Sequence, residues 1–129
     1  MNIVRTADAS SRIGPSNYFS GTVLLEDISA GPDTGNVRIA RVTFAPGART
    51  AWHTHPHGQL LHILSGVGRV QKDGEDVTVV LPGDTVWFQP GERHWHGASQ
   101  DRTMVHLAVQ QIDEAGNAVS WQEHVASTD

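Results

Sequence analysis

Gly47-Ala48-Arg49-Thr50-Ala51-Trp52-His53-Thr54-His55-Pro56-His57-Gly58-Gln59 is the stretch whose reading decides the fold. Side chains alternate faces along an extended strand, so if Thr50 to His55 is a strand, His53 and His55 project from one side. Two imidazoles placed so can converge on one ion. Pro56-His57-Gly58 bends the chain, and Gln59 opens the next strand, where its side-chain carbonyl oxygen can offer a third ligand. A second stretch, Pro82-Gly83-Asp84-Thr85-Val86-Trp87-Phe88-Gln89-Pro90-Gly91-Glu92-Arg93-His94-Trp95-His96, turns at Pro90-Gly91. His94 can then close the site from another strand.

Outward from these stretches the punctuation is that of an all-β chain. Gly and Pro recur at short intervals and no window sustains a 3.6-residue apolar period. Turn residues at Gly31-Pro32-Asp33-Thr34-Gly35, Ala45-Pro46-Gly47, Lys72-Asp73-Gly74-Glu75, Leu81-Pro82-Gly83-Asp84 and Gln89-Pro90-Gly91 separate short segments. Predicted strands are Gly21 to Asp27, Asn36 to Phe44, Thr50 to His55, Gln59 to Leu64, Gly68 to Lys72, Asp76 to Val80, Asp84 to Phe88, Thr103 to Gln110 and Val119 to His124. Short strands at this spacing point to a sandwich or barrel.

The chain has 129 residues, the size of one domain with a real core. Residues 1–129 are read as a single unit, with an N-terminal arm over 1–20, a barrel over 21–125 and a tail at 126–129. Nine Lys and Arg against fourteen Asp and Glu give a net charge of −5, which repels phosphate backbones and anionic lipid; no nucleic acid or membrane partner is expected. The absence of cysteine removes disulfide and thiolate chemistry. With no apolar run long enough for a membrane span and no signal-peptide pattern, a cytoplasmic protein is the expectation.

Taken together, the two stretches resemble the cupin superfamily. Its first motif is a Gly, five residues, His-x-His, three residues, Glu, six residues and Gly, and here Gly47, His53, His55, Gln59 and Gly66 fill it. Its second is filled by Gly83, Pro90, Gly91 and His94. Two positions depart from the pattern: Gln59 stands in place of the common Glu, and Ala98 in place of a frequent Asn. The resemblance implies a double-stranded β-helix, a jelly-roll-like antiparallel barrel. In detail, Phe44 to Pro56 and Trp87 to Ala98, with His106-Leu107-Ala108 and Trp121-Gln122-Glu123-His124-Val125, look like the small manganese cupins that act as hydroxynitrile lyases. That likeness implies a metal held by His53, His55, Gln59 and His94, with His96 and His106 as catalytic histidines.

Three imidazoles and an amide are all neutral, so a divalent ion would keep its formal +2 where a Glu would lower the site to +1. Such an ion suits Lewis-acid activation of a cyanohydrin oxygen, with a neutral His moving the proton. Mn2+ is the expected metal, and Fe2+, Ni2+, Co2+ and Zn2+ suit imidazole as well. Strand parity puts His96 on the face of His94, and Met104, His106, Ala108 and Gln110 on one face of their strand. Ala40 and Val42 leave room beside the metal, while Phe44, Trp87 and Met104 supply apolar walls and Gln110 completes the pocket, which suits an aromatic cyanohydrin or aldehyde. His57 is expected in solvent, and Trp52, Phe88, Trp95 and His124 in packing roles. His62 points away from the metal with Leu60 and Leu64, an apolar stripe that predicts a homodimer or homotetramer. Two other classes stay open, an iron-dependent oxygenase and a non-catalytic metabolite-binding barrel.

Overall fold

A computed structural model describes residues 1–126. Residue 126 is therefore the only part of the expected tail within it. Among the described residues, thirteen strands follow a single 3₁₀ turn at Thr6–Asp8. In chain order they are β1 (Ser11–Ile13), β2 (Phe19–Ser20), β3 (Val23–Ser29), β4 (Val37–Phe44), β5 (Arg49–Thr50), β6 (His53–Thr54) and β7 (Gln59–Gly66). β8 (Gly68–Lys72), β9 (Thr78–Val80), β10 (Thr85–Phe88), β11 (His94–Ala98), β12 (Met104–Gln111) and β13 (Ser120–Trp121) complete the set.

All pairings are antiparallel and fall into two sheets. One runs β1-β3-β4-β12-β7-β10; the other runs β13-β6-β11-β5-β2, with β8 on the far side of β11 and β9 beyond it. Between the sheets lies one apolar core in which Val23, Phe44, Leu61, Ile63 and Met104 are almost wholly removed from water. The larger sheet shows the alternation that a half-buried strand requires: along β12, Met104, His106 and Ala108 are buried while Val105, Leu107 and Val109 are half-exposed. This is the all-β antiparallel barrel that the cupin resemblance implied, one of the two architectures left open by the spacing of turns.

Three local features differ from the sequence reading. The chain pairs before Gly21, since β1 lies on β3 and β2 on β5, with Phe19 in the core; a boundary drawn at residue 21 cuts through both sheets. The segment Thr50 to His55 is interrupted at Ala51-Trp52, where Ala51 N–H donates to Tyr18 O and Trp52 N–H to Glu123 O. β11 is the strand expected to carry His94 and His96 after the Pro90-Gly91 turn, for which the sequence reading gave no bounds.

Close approach at two glycines fixes how the strands join. Gly66 ends β7 at φ +80, and a Cβ there would collide with the Thr103 carbonyl. Gly97 lets β11 lie directly on Ala48 and Arg49 of the neighbouring strand.

Candidate metal centre and substrate cavity

Five histidines are buried at one end of the core: His53, His55, His94, His96 and His106. His53 comes from β6 and His94 from β11, directly paired across the sheet, and their rings lie 4.3 Å apart. His55 follows the end of β6, with its ring 5.0 Å from that of His53.

Three of the five share one hydrogen-bond pattern. Nδ1 of His53 donates to Ala51 O at 2.9 Å, Nδ1 of His55 to Ala118 O at 2.7 Å and Nδ1 of His94 to Glu92 O at 2.8 Å. A carbonyl only accepts, so each Nδ1 carries the proton and each Nε2 presents a lone pair. Gln59, at the start of β7, donates from Nε2 to Gln110 Oε1 at 2.8 Å, which turns its own Oε1 inward to 3.1 Å from His94 Nε2. Two lone pairs thus face one another, and His55 Nε2 is buried with no partner at all. Convergent acceptors without a donor fit a cation, and backbone-anchored Nδ1 atoms are the arrangement that orients ligating imidazoles.

Burial is the main reason these rings stay neutral. It holds His53 and His96 well below the ordinary histidine value and lowers His55, with His94 and His106 pushed down to about 4. The neutral form is the one that can ligate. Packing fixes the rings: Phe88 stacks on His94 at 3.6 Å, and Trp121 lies 4.6 Å from His53.

His96 and His106 are built differently. His96 Nδ1 and His106 Nε2 are 2.9 Å apart, and the other nitrogen of each ring is buried without a partner. The ring nitrogens of His53, His94 and His96 also lie within 4.8 Å of one another, so this trio too can hold an ion. The two sets compete for the fourth position. His55 has its tautomer locked by a carbonyl, whereas the Nδ1 partner of His96 is a second imidazole, which leaves its proton free to sit on either ring. His55 is therefore held in the tautomer a ligand requires, whereas the proton of His96 can move between two rings.

A cavity of about 290 Å³ opens onto this centre. His53, His55, Gln59 and His96 line its floor, Ala40, Val42, Ala108 and Gln110 one wall, and Tyr18, Phe19 and Trp121 another. His94 sits behind the floor, fully buried. His106 lies behind His96 and does not line the cavity. Three expectations for the walls are corrected. Trp87 is 54% exposed on the outer face of β10; its register partner is Leu60, so the inward residue opposite Gln59 is Phe88. Phe44 is fully buried against the His96 and His106 rings and does not line the cavity. Met104 is likewise core, while His57 is exposed on its bend. The sequence reading missed Arg38, Asp27 and Arg12, which also line the cavity. Arg38 has the parity of Ala40 and Val42 on β4, and that alternation, carried one step further, identifies it.

The cupin domain profile matches residues 40–110, more than half of the chain. The chain belongs to the cupin family. This cupin is 50% identical over 125 residues, 97% of its length and 95% of the relative's, to (R)-mandelonitrile lyase of Granulicella tundricola. It is 33% identical to a cupin-like protein of Thermotoga maritima, with a TM-score of 0.82 over 88% of this chain and 86% of that one. A germin-like protein of Arabidopsis thaliana is 31% identical over 83% of the cupin and 51% of the plant protein. Among the described residues no helix is long and apolar enough to cross a membrane.

Proposed function

We propose that this cupin is a metal-dependent hydroxynitrile lyase, cleaving or forming aromatic cyanohydrins of the mandelonitrile type. The observation that carries the reading is the division of labour among the buried histidines: three have Nδ1 tied to a carbonyl, while His96, on the cavity floor, has its Nδ1 against a second imidazole. Similarity to the Granulicella enzyme supports it independently.

His53, His55 and His94 through Nε2 and Gln59 through Oε1 would hold the ion, with manganese expected and iron, cobalt, nickel or zinc competing for the same donors. A divalent ion held by four neutral ligands would supply Lewis-acid polarisation of the substrate oxygen. The remaining work falls to the protein. When His96 donates from Nδ1 to His106 Nε2, its Nε2 offers a lone pair at the cavity floor and can take the cyanohydrin hydroxyl proton. The O–H electron pair then forms the carbonyl as the C–CN bond breaks, and His96 returns the proton to cyanide. No net proton is gained or lost, so one imidazole serves both halves of the reaction, and the same groups run it in reverse. General acid/base help of this kind contributes about 10² to 10⁴ in rate. His106 positions His96 and sets its tautomer, while the small side chains of Ala40, Val42 and Ala108 leave room for a single aromatic ring.

The assembly we propose is a homo-oligomer joined through the outer face of the larger sheet. Register places Ile39, Val109, Leu60 and Trp87 side by side across four strands, an apolar row that ends in an exposed indole. Elemental analysis of the purified protein, combined with an anaerobic mandelonitrile cleavage assay, tests the catalytic reading. Metal-dependent release of benzaldehyde without oxygen is expected. A requirement for oxygen, or no turnover by the metal-loaded protein, would reject it.

A further inference from the structure

The cavity carries a charge that cleavage of a neutral cyanohydrin does not use. Among the described residues, Arg12, Asp27 and Arg38 are the Asp, Glu, Lys and Arg side chains lining it. Arg12 and Asp27 neutralise one another across a 3.2 Å ion pair that is largely open to water. Arg38 has no such partner. Its Nε is buried and unbonded, and among the described residues its guanidinium makes no ion pair or hydrogen bond.

Position gives that charge a direction. Arg38 is the register partner of Gln110, and Gln110 of Gln59. The three side chains form one inward row across β4, β12 and β7, and the row leads from the cavity rim to the candidate metal centre. Two strand spacings separate the ends, so the backbones of Arg38 and Gln59 are about 10 Å apart. Within the row Gln110 Oε1 accepts from Gln59 Nε2, and both side chains are neutral amides that supply no counter-charge to Arg38. Arg38 is half-buried with its Nε enclosed, and a planar guanidinium is the side chain best suited to grip a carboxylate through two parallel hydrogen bonds.

We propose that Arg38 is a specificity-determining residue that binds a carboxylate on the end of the substrate remote from the reacting carbon. This cupin would then take an aromatic or short-chain hydroxy compound bearing a distal carboxylate in preference to an uncharged one. A cavity of about 290 Å³ has room for one aromatic ring between the floor and the rim that Arg38 occupies. The inference rests on the assigned cavity being the substrate site, but not on cyanide chemistry.

The test is a binding measurement. Dissociation constants of 4-(hydroxymethyl)benzoate and of its uncharged methyl ester are measured by calorimetry on the metal-containing protein, for the wild type, Arg38→Met and Arg38→Lys. The acid should bind the wild type at least about tenfold more tightly than the ester, as a charge-assisted hydrogen bond warrants. Arg38→Met should erase that preference, the acid losing at least about tenfold more affinity than the ester, and Arg38→Lys should restore part of it. Equal binding of acid and ester by the wild type would overturn the proposal whatever the variants do. So would a preference that survives in Arg38→Met, which would send the carboxylate to the metal or to Arg12. Because the ligands do not react, loss of mandelonitrile cleavage would refute the lyase reading alone and leave this result standing.

Discussion

Nε2 of His106 stands 2.9 Å from Nδ1 of His96, so the ring that faces the cavity is backed by a second imidazole that never reaches it. Any effect of His106 on turnover must therefore pass through His96. His106→Ala should lower cyanohydrin cleavage by about 10² to 10⁴ with metal content unchanged, as for loss of a properly set acid/base group. A purely structural role would lower the rate equally at every pH. Here the pH–rate profile should also change shape, because the tautomer of His96 is no longer imposed. Undiminished cleavage would sink the assigned roles.

Gln59 differs in charge from the common glutamate, and Gln110 decides which way its amide points. Gln59→Glu should retain the ion but slow cleavage, since an anionic ligand weakens polarisation of the substrate oxygen. Gln110→Leu should instead reduce metal affinity by about 10- to 100-fold, the usual effect of removing a group that orients a ligand. Metal titration of both variants separates the two outcomes; faster cleavage by Gln59→Glu with the same ion would contradict the Lewis-acid reading.

Acid should unfold the metal-free protein early. Burial holds His94 and His106 at about 4 and His53 and His96 well below the ordinary value, whereas an unfolded histidine titrates near about 6.5. Between those limits the unfolded chain takes up protons that the folded chain refuses. The stabilisation is complete above about pH 6.5 and is lost as pH falls toward about 4. Urea titrations monitored by circular dichroism should show this decline, and His106→Phe should make it shallower. A midpoint constant from pH 7 to 4.5 would refute it.

The Gly66 close approach predicts a sharp asymmetry between two glycines with similar backbone angles. Gly66→Ala drives a methyl into the Thr103 carbonyl, while Gly74, at φ +86, has nothing within 4 Å of an added Cβ. Gly74→Ala should cost about 1–2 kcal/mol from its left-handed backbone alone. Gly66→Ala should cost appreciably more or prevent folding, which thermal melts of the two variants will show.

Charge on the outer sheet should separate subunits. Leu60→Arg and Trp87→Arg place cations in the apolar row beside Val109. Light scattering should show a dimer or tetramer for the wild type and smaller species for both variants. A wild-type monomer at micromolar concentration rules out the proposed interface.

Local spacing made much of the molecule legible. His-x-His on a strand and a Pro-Gly turn before His94 are short-range facts, and alternation along β4 and β12 places Ala40, Val42, Ala108 and Gln110 together on the cavity wall. What the sequence hid depends on register between distant strands. Whether Trp87 or Phe88 faces inward is decided by pairing with Leu60 and Gln59, and a run of consecutive apolar residues carries no alternation from which to choose. The carbonyl that fixes His55 belongs to Ala118, sixty-three positions away, and backbone acceptors leave no trace in residue identity. Arg38 was hidden for a different reason: an inward charge violates the expectation of apolar lining, and that violation marks a functional position.

The contact between His55 and Ala118 bears on how this domain can be cut and moved. The match to the family profile ends at residue 110, yet the carbonyl of Ala118 orients one candidate ligand and Trp121 packs against another. A fragment trimmed to the matched core would keep every motif residue while leaving His55 free to rotate. The smallest transplantable piece therefore extends through β13, and in grafts or fusions that stop short of it, weak metal retention would signal a missing strand before it signalled a wrong ligand.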